Sequence, residues 1–217
     1  SSCSIYGNIR RGVVSEKKKP NPQGRYASTK LDGENIIKKY SNKYNYKYVI
    51  LRYFNVVGAS NSGKIGEIEK SHNHLFKNIA IASLKKNPII NVFGKHYNTP
   101  DGTCIRDYIH VMDLAEAHVA ALTRLLENEE APKYEVFNLG TGKGSSVLEV
   151  VHSFENATDE KLNYKIAPRR EGDVIAAYAD TTKANKILGW KADTDLDTAL
   201  ASAWKWEKRV KEKEDLD

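Results

Sequence analysis

Short apolar runs in this chain are separated by longer stretches in which apolar residues recur every three or four positions. The run Tyr48-Val49-Ile50-Leu51-Arg52-Tyr53 predicts a buried strand, and strands are also predicted at 89–93, 134–139 and 164–167. The helical period predicts helices over 26–40, 75–86, 113–126, 145–154, 181–188 and 196–210. Asn87-Pro88 stops the second of these, and Asp113 is placed to cap the third. Residues 55–71 read as a loop carrying Gly and Ser, 107–111 as extended chain, and Pro100-Asp101-Gly102 as a turn. Strands alternating with helices predict an α/β fold. Neither an internal repeat nor a low-complexity tract interrupts the pattern.

Composition adds bounds. The chain has 217 residues, enough for one large domain or two small ones with a substantial core. Its net charge of +6 invites a nucleic-acid reading. The lysines are scattered, however, with Lys17 to Lys19 in a loop and Lys38, Lys39, Lys43 and Lys47 around a helix. No zinc-finger or RNA-binding motif and no basic stripe interleaved with aromatics accompanies them. Solvated lysine faces account for the charge, no nucleic-acid partner is expected, and a mild positive field suits a small anionic ligand. No apolar run approaches a membrane span and no signal peptide is visible, so a cytoplasmic protein without a membrane partner is expected. Cys3 and Cys104 lie far apart and read as reduced thiols. His72 and His74 lack a carboxylate or cysteine to complete a metal site, and no metal is expected.

The candidate chemistry begins at Tyr26-Ala-Ser-Thr-Lys30. Residues four apart on a helix share a face. A phenol ionises near pH 10, and a nearby ammonium favours the phenolate, so the pair suits a tuned general base. Chance also supplies this spacing, and the neighbouring blocks must decide. The chain opens on Ser1-Ser2-Cys3-Ser4, small residues feeding a loop, as at the end of a strand. Ligands of open α/β sheets sit beyond such strand ends. Gly140-Thr141-Gly142-Lys143-Gly144-Ser145-Ser146 follows a strand and precedes a helix. It is not a P-loop, because Gly144 separates Lys143 from the serines, and a structural turn is expected.

Ser-Ser-Cys-Ser-Ile-Tyr-Gly, then Tyr26-x-x-x-Lys30, then Leu51-Arg52-Tyr53-Phe54-Asn55-Val56-Val57-Gly58 resembles the extended short-chain dehydrogenase/reductase family. Four later blocks resemble the UDP-glucose 4-epimerases within it: Val92-Phe93-Gly94, the block from Asp101 to Ala115, Asn138-Leu139-Gly140-Thr141-Gly142, and Ala167-Pro168-Arg169-Arg170-Glu171-Gly172-Asp173. The resemblance runs in order over nearly the whole chain. It implies the C-terminal part of an NAD-binding Rossmann fold plus a smaller α/β nucleotide-sugar-binding domain. Residues 1–57 would be the Rossmann remnant carrying the Tyr/Lys pair. Residues 58–217 would be mainly the UDP-sugar domain, with parts of 105–145 packing on the Rossmann sheet.

The resemblance implies NAD as cofactor and interconversion of UDP-galactose and UDP-glucose through a 4-keto sugar, in galactose metabolism. Tyr26 would be the base on the sugar 4-hydroxyl. Lys30 would hold the nicotinamide ribose and depress the phenol pKa. Ser2 would share the reacting proton, with Ser4 as the alternative register, and Phe54 would lie near the cofactor. On the substrate side, Arg106 and Arg170 would contact the diphosphate, which suits the planar guanidinium fork. Asp173 would contact ribose or sugar, Asn55 the substrate, Phe93 the uracil region, and His74 and Leu75 the uridine pocket. Ala177 stands where side-chain size gates the sugar pocket, so UDP-N-acetylglucosamine is an expected further substrate.

Arg25 stands where the family usually has Pro, which bears on the loop geometry. Relatives that dehydrate nucleotide sugars carry an acidic pair beside the catalytic Thr, and Cys3-Ser4 supplies none. Another nucleotide-sugar oxidoreductase of the family and a non-catalytic nucleotide-sugar-binding fragment stay open as alternatives. The phosphate-binding strand, glycine turn and helix, about the first third of such an enzyme, are expected upstream of Ser1. Without them the chain alone is expected to be poorly stable and inactive, and the full-length enzyme is expected to be a homodimer.

Overall fold

The structure is a computed structural model, and it describes residues 1–9, 12–68, 74–85 and 89–214. Among the described residues there are six α-helices: α1 (Arg25–Tyr44), α2 (Leu75–Ser83), α3 (Val111–Glu127), α4 (Val147–Thr158), α5 (Thr182–Leu188) and α6 (Leu196–Glu214). The strands are β1 (Gly12–Val14), β2 (Tyr48–Tyr53), β3 (Asn55–Val57), β4 (Ile89–Phe93), β5 (Ile105–Arg106), β6 (Tyr108–His110), β7 (Tyr134–Leu139), β8 (Ser145–Ser146), β9 (Asn163–Ala167) and β10 (Ala176–Ala179). The predicted strands at 48–53, 89–93 and 134–139 have the observed bounds. The stretch predicted as loop from residue 55 begins instead with β3, which pairs in parallel with β6. The predicted stop at Asn87-Pro88 and His72 lie outside the described residues. Asp113 does not cap α3. His110 does, accepting from the Met112 N–H through Nδ1 at 3.3 Å. Asp113 instead holds Thr194, accepting from its hydroxyl at 2.9 Å and its N–H at 3.1 Å.

Parallel pairing dominates. β2 runs beside β7 from Tyr48↔Tyr134 to Tyr53↔Leu139, and β4 beside β9 from Ile89↔Asn163 to Phe93↔Ala167. A four-stranded sheet runs in the order β1-β10-β5-β8, with only its last pair antiparallel. Three apolar clusters fill the interior. The first joins α2, α4 and α6 around Ile79, Phe154 and Leu200. The second packs α3 and α5 onto β2 and β7 through Leu51, Ala117, Phe137 and Trp190. The third gathers Ile5, Tyr6, Val14, Phe54 and Ala179 beneath the N-terminal turn.

Two buried charged groups tie these parts together. Arg52 of β2 grips Glu34 of α1 with Nε at 2.9 Å and Nη2 at 2.6 Å, and its Nη1 donates to the Tyr6 hydroxyl at 2.9 Å. Tyr6 donates in turn to Asn138 of β7 at 2.7 Å. Burial opposes the ionised form of Glu34, but hydrogen bonds from Arg52 and Ser1 outweigh it and hold its pKa below the ordinary 4.5. Asp107, between β5 and β6, is fully buried. Its carboxylate accepts from the Thr141 N–H and hydroxyl, both at 2.8 Å, from the Gly142 N–H at 3.1 Å and from the Ala179 N–H at 3.0 Å. Burial nevertheless raises its pKa above the ordinary value. The loop after β7 is thus wrapped around a carboxylate of the protein itself. A Cβ at Gly140 would come within 2.3 Å of Asp107 Oδ2, so only glycine allows the approach.

Two outcomes are expected. Arg52→Met leaves Glu34 buried without its cation and should lower stability by about 3–5 kcal/mol, measured by denaturant unfolding at neutral pH. Because the Glu34 pKa is depressed, its stabilisation is present above pH 4.5 and lost as pH falls through the lower folded value, and Arg52→Met should lack that acid-side loss. Asp107→Asn should also destabilise, by about 2 kcal/mol, although it removes a buried charge. Its amide nitrogen would face N–H donors where an acceptor is needed, and the shift of the unfolding midpoint would report this.

Candidate active site

α1 carries the candidate base. It begins at Gly24, which offers no side-chain cap, and buries only Ala27, Glu34 and Ser41. These lie seven apart, a narrow and mostly polar seam. Tyr26 and Lys30 share the adjoining face and are open to solvent, Tyr26 at 61% exposure. The Lys30 ammonium stands 5.3 Å from the centre of the Tyr26 ring. That places a cation on the phenol as the spacing predicts. Continuing the stripe by one turn reaches Glu34, so the Arg52 pair fixes the rotation of the helix that presents Tyr26 and Lys30.

Ser2 lies beside the end of β2, bridged in parallel to Tyr53. Its hydroxyl accepts from the Ser4 N–H at 3.2 Å and caps the 3-10 turn Cys3–Tyr6. Ser4 Oγ is buried without a hydrogen-bond partner among the described residues. Burial, reinforced by the charge of Asp107, pushes the Cys3 thiol up to about 12, so it stands by the site as a neutral thiol. Phe54, expected near the cofactor, is 6% exposed and packed with Ile5 and Tyr6. Its side chain faces the core, whereas the neighbouring Asn55 is exposed.

Asn55 opens the second part of the site, a cavity of about 500 Å³. The structure brings together here His74, Leu75, Phe93, Arg106, Arg170 and Asp173, all named from sequence. Arg106 is anchored, donating through Nη1 to Ile105 O at 2.9 Å and Val174 O at 2.7 Å. Its Nη2 lies 3.6 Å from Asp173. Arg170 grips the same carboxylate through Nε at 3.0 Å and Nη2 at 3.3 Å, and its guanidinium covers the Phe93 ring at 4.9 Å. Asp173, expected to contact ribose or sugar, therefore bridges two guanidiniums, which would otherwise repel each other. Two cations around one carboxylate leave net positive charge at the cavity mouth, suited to a diphosphate. The adjacent Arg169 is spent elsewhere, stacked 3.8 Å over Tyr97.

Ala177 is buried at 6% exposure and does not line this cavity. It sits between Gly12 of β1 and Arg106 of β5 as their register partner. Register partners in a parallel pair project to one face, so a larger side chain at 177 would rise beside Arg106. Sequence reasoning missed Asn78, Asn91 and Tyr108, which also line the cavity. Asn91 was recoverable from strand alternation with Phe93, and Asn78 from its place one helical turn after Leu75. Tyr108 packs edge-on against Phe76 at 4.7 Å, and burial pushes its phenol pKa well up. Among the described residues no three His, Cys, Asp or Glu side chains are arranged to hold a metal ion, and no helix is long and apolar enough to cross a membrane.

Known proteins resemble this chain in sequence and in fold. A family model described as GDP-mannose 4,6 dehydratase matches residues 1–203. The bifunctional UDP-glucose 4-epimerase and UDP-xylose 4-epimerase 3 of Arabidopsis thaliana is 44% identical over 95% of this chain and 59% of its own length. The UDP-glucose 4-epimerase of Dictyostelium discoideum is 41% identical over 95% of this chain and 60% of its own. Among solved structures, UDP-glucose-4-epimerase from Stenotrophomonas maltophila with bound NAD and formylated UDP-arabinopyranose superposes with a TM-score of 0.92 at 38% identity, covering 98% of this chain and 63% of that one. The Bifidobacterium longum UDP-glucose 4-epimerase in complex with NAD+ and UDP gives 0.87 at 39% identity, covering 96% and 62%. The chain thus spans about 60% of the length of the curated relatives it matches. Its motifs, its fold and the family match agree, and the chain belongs to the extended short-chain dehydrogenase/reductases, in the GDP-mannose 4,6 dehydratase family and among relatives that are UDP-glucose 4-epimerases.

Proposed function

We propose that this chain is the catalytic-base and UDP-sugar-binding part of an NAD-dependent UDP-glucose 4-epimerase that interconverts UDP-galactose and UDP-glucose in galactose metabolism. The observation that carries the reading is the Arg106–Asp173–Arg170 clamp at the mouth of a nucleotide-sized cavity. The exposed phenol and ammonium of Tyr26 and Lys30 fit the hydroxyl-rich ribose of a nicotinamide nucleotide, and they are the residues that would hold it. Bound NAD would supply the reversible two-electron acceptor for oxidation at the sugar C4. Tyr26 takes the proton from the 4-hydroxyl and returns it, Lys30 holds the nicotinamide ribose beside it, and Ser2 donates to the same oxygen. Arg106 and Arg170 hold the diphosphate while the sugar turns, so orientation is the larger part of the catalysis. Cys3 and Ser4 place no acid beside Ser2, which favours epimerisation over dehydration. The outward α1 residues Ile36, Tyr40 and Tyr44 support a homodimer of the complete enzyme through this helix.

Calorimetric titration with UDP tests the reading. Arg106→Ala should weaken binding at least about tenfold, because one charge-assisted contact to phosphate is lost. Tyr26→Phe should leave UDP affinity unchanged, yet in the complete enzyme lower kcat by about 10²–10⁴-fold. Equal UDP affinity of the wild type and Arg106→Ala would sink the clamp. The small side chain at 177 supports acceptance of UDP-N-acetylglucosamine. Ala177→Tyr in the complete enzyme should cut kcat/KM for the acetylated sugar by roughly 10–200-fold relative to UDP-galactose, measured by competing the two substrates.

A further inference from the structure

One wall of the cavity is formed by α2. α2 turns Leu75, Asn78 and Ala82 toward the cavity. With nine residues it is too short to be stable alone. Its N-cap, His74, makes no side-chain capping bond, and neither an acidic residue in its first turn nor a basic one in its last complements its dipole. The opposite face of α2 meets α6. Lys77, only 7% exposed, reaches Glu207 of α6 at 3.6 Å and donates to Glu67 O at 3.3 Å. The Trp204 indole donates to Ser83 Oγ at 3.1 Å, and Lys211 donates to Leu84 O at 2.8 Å. Trp206 holds the preceding loop, donating to Glu67 O at 2.9 Å. Its ring lies where a Cβ on Gly66 would come within 2.4 Å, so the loop can sit this close only with glycine there. Lys77, Trp204, Trp206 and Glu207 themselves do not line the cavity.

We infer that Lys77, Glu207 and Trp204 are positioning residues for the nucleotide: through them α6 sets where α2 stands opposite β4, and so the affinity for the uridine half of a UDP-sugar. The inference rests on the UDP-sugar reading above. Its physical basis is the difference between apolar and ionic contacts. Apolar burial between helix faces is non-directional. Lys77, buried behind α2, meets Glu207 at 3.6 Å and Glu67 O at 3.3 Å, and these directed contacts favour one height of α2 along α6. The cavity face of α2 then presents Leu75 and Asn78 at one level beside Asn91 and Phe93 of β4.

UDP is titrated calorimetrically into the complete enzyme with this chain as wild type, with Glu207→Gln, with Trp204→Phe and with the double variant Lys77→Met and Glu207→Leu. Both single variants should raise the Kd about tenfold with the binding stoichiometry unchanged. The double variant, a well-packed apolar pair, should regain the wild-type unfolding midpoint and still bind UDP weakly. A fall in stoichiometry at unchanged Kd would mean that α6 only maintains the folded fraction, and it would overturn the inference. So would wild-type affinity in both single variants, or affinity restored by the double variant. If Glu207→Gln does not fold, Trp204→Phe, which keeps an aromatic ring and removes the pyrrole portion with its N–H, decides alone. Absence of UDP binding by the wild type would overturn the UDP-sugar reading and this inference with it, whereas wild-type binding with unaffected variants overturns the inference alone.

Discussion

The guanidinium of Arg52 is the contact on which the geometry of the catalytic end depends. α1 presents Tyr26 and Lys30 on a narrow buried seam, with Ala27, Glu34 and Ser41 buried and Leu31 half-buried against the cluster of Ile5 and Tyr6. So little apolar surface fixes the rotation of a helix weakly. The fork of Arg52 adds a directed contact by gripping both oxygens of Glu34. A third N–H of the same group reaches Tyr6, in the turn that Ser2 caps. One planar cation therefore sets both the helix of the candidate base and the turn of the candidate hydroxyl donor. Lysine could not replace it, because a single ammonium lacks that geometry.

The substrate end is organised by two adjacent residues facing opposite ways. Arg106 points into the cavity, and Asp107 points inward to the loop after β7 and to β10. Strand alternation requires this opposition. Because Asp107 accepts from Ala179 while Arg106 pairs in register with Ala177, the carboxylate also fixes the strand beside the phosphate clamp. The Gly140-Thr141-Gly142 loop, whose composition suggests a phosphate cradle, turns the N–H groups of Thr141 and Gly142 to Asp107 rather than to a ligand.

Much of the fold was legible because its long parallel strands are written in local chemistry. β2, β4 and β7 are largely apolar runs with clear stops. β1, β3 and β10 were not legible. Gly-Val-Val, Asn-Val-Val and Ala-Ala-Tyr-Ala are three or four residues long, and they become strands through partners distant in sequence. The cap of α3 was misplaced for a similar reason. Asp113 is the better capping residue by type, but Thr194 occupies its carboxylate, and that threonine comes from the far end of the chain. Among site residues, the arginines and Asp173 stood out by motif, whereas Asn78, Asn91 and Tyr108 carry no motif and became visible only when α2 and β4 faced each other.

The sequence by itself determined the α/β class, the family, the Tyr26–Lys30 spacing and the identity of the cations that line the cavity. Each of these follows from periodicity or from residue type in local order. The tertiary structure decided that Asp173 is shared between Arg106 and Arg170, that Ala177 lies beside Arg106, that Phe54 faces the core, and that α6 backs α2. These depend on which strands pair and which helix faces meet. Long-range burial and charge pairing choose among such arrangements, and no local pattern encodes them.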